Sequence, residues 1–365
     1  MAQKRLREGY TTGCCAAAAV RACLEWQING RRPECVSIEL PGGQIRTLPV
    51  FFDADGSCHV VKDAGDDPDV TNGCSVKAWV RLDDGPGPVR FAAGEGVGTV
   101  TSPGLPLPPG EAAVNPVPRQ MIARQIRELA GDTGAEVILS IPGGTELAKK
   151  TFNPRLGIVG GLSILGTTGI VRPMSEEAVI ETLRLDLSVA VASGHKELFF
   201  VPGESGEKAV RRQFGNDWPC VQIGNHIGIM LDAARDMGVK RVVTAGFAGK
   251  LVKVAADIMN THSHVADGRR ETVCAFAAMD GASPEVIREI YECKTMTQAA
   301  AILEREGRSG LWNAMAERAA SNCRLRTDGD MDVDMIFLDK EGDVLGSSAG
   351  AADLIRKVGK GVDRE

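Results

Sequence analysis

Residues 156–175, LGIVGGLSILGTTGIVRPMS, constrain the fold more than any other stretch of this chain. The segment opens on a short apolar run holding Ile158 and Val159, the length of a buried strand. Gly160 and Gly161 follow, and Gly166, Thr167, Thr168 and Gly169 come soon after. Pro173 and Ser175 then introduce a helix. Ser175 is placed to cap it, and Glu176 and Glu177 put negative charge in the first turn, where the helix dipole favours it. Val179, Leu183, Leu187 and Val191 recur every four residues, and Gly194 stands where a C-terminal cap belongs. Strand, glycine loop and helix start, in that order, form a usual ligand position in an α/β domain. Two readings stay open at this point: the glycines admit a ligand close to the backbone, or they only make turns.

A chain of 365 residues has room for two domains, each with its own core. The net charge of −6 argues against a nucleic-acid protein, since no basic field exists to hold phosphates. No apolar run approaches the ~18 residues of a membrane helix, so no membrane partner is expected. Residues 1–9 are polar and do not read as a secretory signal. Ten cysteines are scattered without a Cys-x-x-Cys pair, which predicts reduced thiols in the cytoplasm and no metal site.

The first part, residues 1–150, reads as an α+β domain. Thr11, Thr12 and Gly13 make a turn, and an alanine-rich helix runs to about Trp26. Residues 36–40 and 45–50 flank Pro41-Gly42-Gly43 as a hairpin. Residues 58–62, 76–82 and 136–141 are further strands, and residues 115–130 a helix. Asp63, Asp66, Asp67 and Asp69 crowd the loop VKDAGDDPDVTNG. A calcium loop fails there on register, because Gly73 comes one place late and Ala78 stands where a glutamate should close it. Asx-type turns are the structural reading, and a functional carboxylate is the alternative. The stretch GEGVGTVTSPGLPLPPGE lacks a following helix, so it is not a dinucleotide fingerprint.

Residues 151–365 read as a Rossmann-like α/β domain, with a mostly parallel sheet and helices on both faces. Buried runs at 198–201, 221–223, 241–245 and 335–338 alternate with helices. The loops after such strands share one edge of the sheet, where ligands bind. Glu204 follows one run. Lys250 and Lys253 follow another at a helix start, in a segment that is not a P-loop, because Leu251 replaces the magnesium-binding Ser or Thr. His262 stands in the polar cluster Asn260-Thr261-His262-Ser263. Two readings stay open for it: hydrogen-bonding or acid–base work, and simple loop structure. His264 adds no metal site without a third ligand.

Taken together, GYTTG, VKDAGDDPDVTNG, GEGVGTVTSPGLPLPPGE, NPVPRQMI, the 156–175 segment, PGE, IGNHIG, GKLVK and NTHSH resemble the cobalt-precorrin-5B C1-methyltransferases of anaerobic cobalamin biosynthesis. Cys14 and Asn72 depart from what is usual there. The resemblance implies an enzyme using S-adenosylmethionine to methylate C1 of a cobalt-bearing tetrapyrrole, giving cobalt-precorrin-6A. Cobalt then belongs to the substrate. On that reading the donor lies against Gly160, Gly161, Gly166, Thr167, Thr168 and Gly169, with Glu204 facing its ribose. Arg172, Lys250, Lys253 and Asn260 face the macrocycle and its carboxylates, and His262 assists the chemistry. A nucleotide-dependent enzyme of the same pathway and a non-catalytic tetrapyrrole carrier are the competing readings.

Overall fold

The computed structural model describes residues 6–216 and 218–359. The chain forms two compact units that meet in sequence at Val179 and Ile180.

In the first unit β1 (Gly9–Tyr10) leads into α1 (Thr12–Asn29), followed by a hairpin of β2 (Cys35–Glu39) and β3 (Ile45–Pro49). Then come β4 (Phe51–Phe52), β5 (Cys58–Val61), β6 (Ser75–Pro86), β7 (Val89–Ala93) and β8 (Thr99–Val100). After α2 (Pro116–Ala130) follow β9 (Thr133–Ser140), α3 (Gly144–Ala148), β10 (Ile158–Val159) and β11 (Ile170–Val171). A five-stranded sheet has the order β4-β5-β6-β9-β7, antiparallel except between β7 and β9. Alternation decides which side is core. Val76, Ala78 and Val80 of β6, with Ala135, Val137 and Leu139 of β9, are buried in one cluster with α1 and α2. The alanine run of α1 lets its backbone lie close to the sheet, so that the Cys23 thiol donates to the Ala78 carbonyl at 3.1 Å and Gln27 to that of Val80 at 2.8 Å.

The second unit takes in most of α4 (Glu176–Ala192), then β12 (Glu197–Val201), α5 (Glu204–Phe214), β13 (Cys220–Gln222), α6 (Ile227–Asp236) and β14 (Arg241–Phe247). After α7 (Ala248–Leu251) and a 3-10 turn (Val252–Ala256) come α8 (Arg269–Met279), α9 (Pro284–Glu292), α10 (Met296–Arg305) and α11 (Leu311–Arg326). The unit closes with β15 (Asp332–Leu338), β16 (Val344–Ser347) and α12 (Ala349–Gly359). Its sheet runs β13-β12-β14-β15-β16, with all pairs parallel except the last. Helices lie on both faces. Phe199, Val201, Val243, Ala245, Ile336 and Leu338 share a core with residues of α5 and α12. Phe337 has the opposite parity and meets Trp312 of α11, ring centroids 6.3 Å apart.

Two expectations from the sequence change here. The units part at 179/180, so residues 151–179 pack with the first unit and not with the parallel sheet, where a boundary at 150 would put them. Ile158 and Val159 do not open the parallel sheet either. They make a two-residue strand antiparallel to β8, because Gly157 (φ +68°) and Gly160 (φ +89°) turn the chain at both ends. The helix expected after Ser175 does form, and the Ser175 hydroxyl accepts the Ala178 N–H at 3.2 Å.

Candidate functional site

In the first unit the glycine segment folds over the N-terminus of α1. Helix starts leave N–H groups without partners, and this one is satisfied by its own chain. The Thr11 hydroxyl accepts from the Cys14 N–H at 3.2 Å, and the Leu165 carbonyl from the Gly13 N–H at 2.9 Å. Gly169 accepts the Thr11 N–H at 3.1 Å. Thr12 Oγ1 accepts the Leu165 N–H at 2.9 Å and donates to the Ser163 carbonyl at 3.2 Å. The glycines explain themselves by the same packing. A Cβ added to Gly161 would lie 2.2 Å from the backbone of Gly96, one on Gly166 2.4 Å from Thr11 Oγ1, and one on Gly169 2.7 Å from Leu40 Cδ2. The space for ligand approach that the sequence suggested at these three positions is filled by the protein. Gly160 alone of the four is open and exposed. Thr167 and Thr168 are exposed, and the Thr168 hydroxyl donates to the Ile170 carbonyl at 3.1 Å. Cys14 does not offer a thiolate at this helix start, because burial pushes its thiol up to about 12.

The acidic loop packs against the same region. Asp63 accepts the Gly65 N–H at 2.9 Å and Asp69 that of Thr71 at 2.8 Å, which are Asx turns. The buried Lys62 ammonium meets Asp69 at 2.7 Å. Burial pulls the Asp69 carboxyl upward, but the bonds from Lys62 and Thr71 outweigh it and hold the group below its ordinary value. Asp67 reaches across 107 positions of sequence to accept the Met174 N–H at 2.9 Å. No local pattern announces that contact, and sequence reasoning missed it. Arg172 is 78% exposed, with Glu8 at 3.8 Å.

In the second unit the chain goes from β12 to β13 on one side and then returns to β14 on the other. The carboxyl ends of β12 and β14 therefore flank the switch point, where α/β sheets form their ligand crevice. Gly203 starts α5 there at φ +141°, and a Cβ on it would meet nothing within 4 Å. Glu204 is exposed and pairs with Lys208 at 2.6 Å. From β14, Gly246 packs on Pro202, and Lys250 follows within the short α7. Lys250 is exposed and has no ion pair among the described residues. Crowding by protein first, and Lys253 second, lower its pKa below the usual lysine value.

The loops after β13 and after the 3-10 turn pair with each other. His226 bridges to Asn260, and the Thr261 N–H donates to the Asn225 carbonyl at 2.9 Å. Lys253 fastens this pair from below. It is 3% exposed, and its ammonium donates to the carbonyls of Thr261 at 3.1 Å and Ala266 at 2.7 Å. The macrocycle role the sequence suggested for Lys253 is thereby corrected, since a buried ammonium committed to two carbonyls cannot reach a substrate carboxylate. At the exposed tip Asn260 Oδ1 accepts the His262 N–H at 3.0 Å, and the His264 N–H donates to His262 Nδ1 at 3.2 Å. The two imidazoles sit edge to face at 4.9 Å. With Nδ1 accepting, the neutral ring carries its proton on Nε2 and presents a donor outward.

The pattern of the CbiD family matches residues 1–173, and that of the CbiD C-terminal domain matches residues 260–349. The chain belongs to the CbiD family. Among curated proteins it is similar to the cobalt-precorrin-5B C(1)-methyltransferase of Alkaliphilus metalliredigens (strain QYMF), 42% identical over 360 residues, covering 96% of this chain and 95% of that one. The protein of the same name from Methanocaldococcus jannaschii is 42% identical, covering 94% of this chain and 97% of its own. A 1.9 Å crystal structure of a cobalamin biosynthesis protein (cbiD) from Archaeoglobus fulgidus shares 30% identity over 72% of this chain and 84% of that chain, with a TM-score of 0.39. The two CbiD matches take in the glycine segment, Arg172, Asn260 and His262; Glu204, Lys250 and Lys253 lie between them.

Proposed function

We propose that this chain is a methyltransferase of cobalamin biosynthesis that transfers a methyl group from S-adenosylmethionine to C1 of cobalt-precorrin-5B, giving cobalt-precorrin-6A. The observation that carries this reading is its likeness, along nearly the whole chain, to proteins named for that reaction. S-adenosylmethionine supplies an electrophilic methyl group on a sulfonium. What remains for the protein is to align two partners, which is worth a great deal without any covalent nucleophile.

The donor fits the switch-point crevice of the second unit better than the glycine segment of the first. A Cβ on Gly203 would meet nothing within 4 Å, whereas Gly161, Gly166 and Gly169 are already covered by their own chain. Glu204, freed from Lys208, is the acidic group for the ribose hydroxyls. For the carboxylates of the macrocycle, Lys250 is the exposed cation of the second unit. Asn260 holds His262, whose Nε2–H donates to the ring edge. A cytoplasmic setting belongs to the same reading and rests on the ten free cysteines.

The test is incubation with cobalt-precorrin-5B and donor labelled in its methyl group. Label in the macrocycle supports the proposal. Macrocycle binding without label would make the protein a carrier. Calorimetric binding of ATP in place of S-adenosylhomocysteine would make it a nucleotide-dependent enzyme.

A further inference from the structure

Met174 holds a left-handed backbone at φ +57°, and 77% of its surface is exposed. Both facts run against its residue type. A Cβ crowds the neighbouring carbonyl in that region, which is why glycine, or asparagine, usually occupies it. An apolar side chain facing water adds nothing to the core. Neither backbone preference nor burial accounts for a methionine here, and strained positions concentrate where a ligand is handled.

The strain is held from both sides. Asp67 Oδ2 accepts the Met174 N–H at 2.9 Å, and Ser175 caps the helix that follows at once. Asp67 stands in a loop that is itself fixed, by the Lys62–Asp69 pair at 2.7 Å and by Asn72, which accepts the Ala64 N–H at 2.9 Å. Two positions earlier Arg172 is 78% exposed, and 3.8 Å from Glu8 is a loose ion pair that leaves the guanidinium able to take another anion. This frame thus presents one soft apolar group and, two positions before it in sequence, one cation, both exposed.

We propose that Met174 is a contact that seats the substrate: its thioether rests against the face of the tetrapyrrole while Arg172 takes a carboxylate at the rim. A flat conjugated ring with charged edges has the chemistry that this pair would recognise, and a flexible thioether packs well on such a ring. This inference rests on the function proposed above.

The test compares wild type with Met174→Gly and Met174→Leu. Glycine suits the backbone, so Met174→Gly keeps or raises the thermal midpoint while deleting the side chain. The KM for the macrocycle rises about tenfold, the loss from one buried apolar contact. The kcat and the affinity for S-adenosylhomocysteine stay as in wild type. Met174→Leu keeps the bulk and raises KM less. An unchanged KM in Met174→Gly overturns the inference whatever the midpoint does. Absence of methyl transfer by wild type is a different result, and it overturns the function on which the inference rests.

Discussion

The backbone N–H of His264 donates to Nδ1 of His262 at 3.2 Å, and this single bond decides what the exposed imidazole can do. A neutral ring so held has no lone pair at Nε2 with which to take a proton. It donates a hydrogen bond instead. Loss of one such bond costs about 0.5–1.5 kcal/mol, against the roughly 10²–10⁴-fold expected of an acid–base catalyst. His262→Ala therefore lowers turnover by about tenfold or less. His262→Gln, which still offers an N–H, restores most of it. A loss of several hundred-fold in His262→Gln would show that the ring does move a proton.

Lys253 is predicted to be a structural residue. Its ammonium satisfies the carbonyls of Thr261 and Ala266, and leaving a buried polar group unmatched costs about 1–3 kcal/mol. Lys253→Met should lower the thermal midpoint and loosen the loop that carries His262, seen as faster amide exchange at Thr261. The residue also shapes the pH dependence. Burial lowers its pKa below 10.5, so between the folded and unfolded values the unfolded chain binds more protons. Stability gained through this residue thus rises with pH across that window, and Lys253→Met abolishes the rise.

Glycine substitutions separate the two candidate donor positions. Gly161→Ala places a Cβ 2.2 Å from the Gly96 backbone and should destabilise the first unit strongly, so its effect on binding says nothing about a ligand. Gly160→Ala meets no neighbour and carries only the strain of φ +89°, on the order of 1–2 kcal/mol. Calorimetry with S-adenosylhomocysteine should find its affinity unchanged. Gly203→Ala, at the start of α5, should weaken it. The reverse pattern, in folded variants, returns the donor to the glycine segment.

Several strands and helices of both units were readable because alternation and four-residue periodicity are local signals. The hairpin (Cys35–Glu39 with Ile45–Pro49) and the parallel runs fall close to where the pattern puts them. The partners of the glycine segment were not readable. Ile158 and Val159 look like any buried strand, and only pairing with Thr99 and Val100 takes them away from the parallel sheet. The same holds for cations. Lys250 and Lys253 are three positions apart in one basic stretch, yet one is exposed and the other is 3% exposed and committed to carbonyls. Which side of a short helical turn faces the core depends on what lies beneath it, and that is a long-range fact. The Asp67–Met174 bond is another of the same kind.

Lys250 is left as the cation of the second unit for an acidic substrate. It follows β14, whose carboxyl end lies next to that of β12 at the switch point. Lys250→Ala should raise the KM for the macrocycle severalfold and leave the thermal midpoint unchanged, because the ammonium makes no ion pair among the described residues. The donor affinity should not move. Two dependences come from its surroundings. Crowding and the neighbouring Lys253 lower its pKa below 10.5, so its charge is lost sooner as pH rises than that of a free lysine. Macrocycle binding should weaken on that alkaline side in wild type and not in Lys250→Ala. Removing the repelling neighbour in Lys253→Met should shift the weakening to higher pH. An exposed charge is also screened by salt, so the difference between wild type and Lys250→Ala should shrink as ionic strength rises. If the KM of Lys250→Ala equals that of wild type at low salt, the carboxylates of the substrate are held elsewhere.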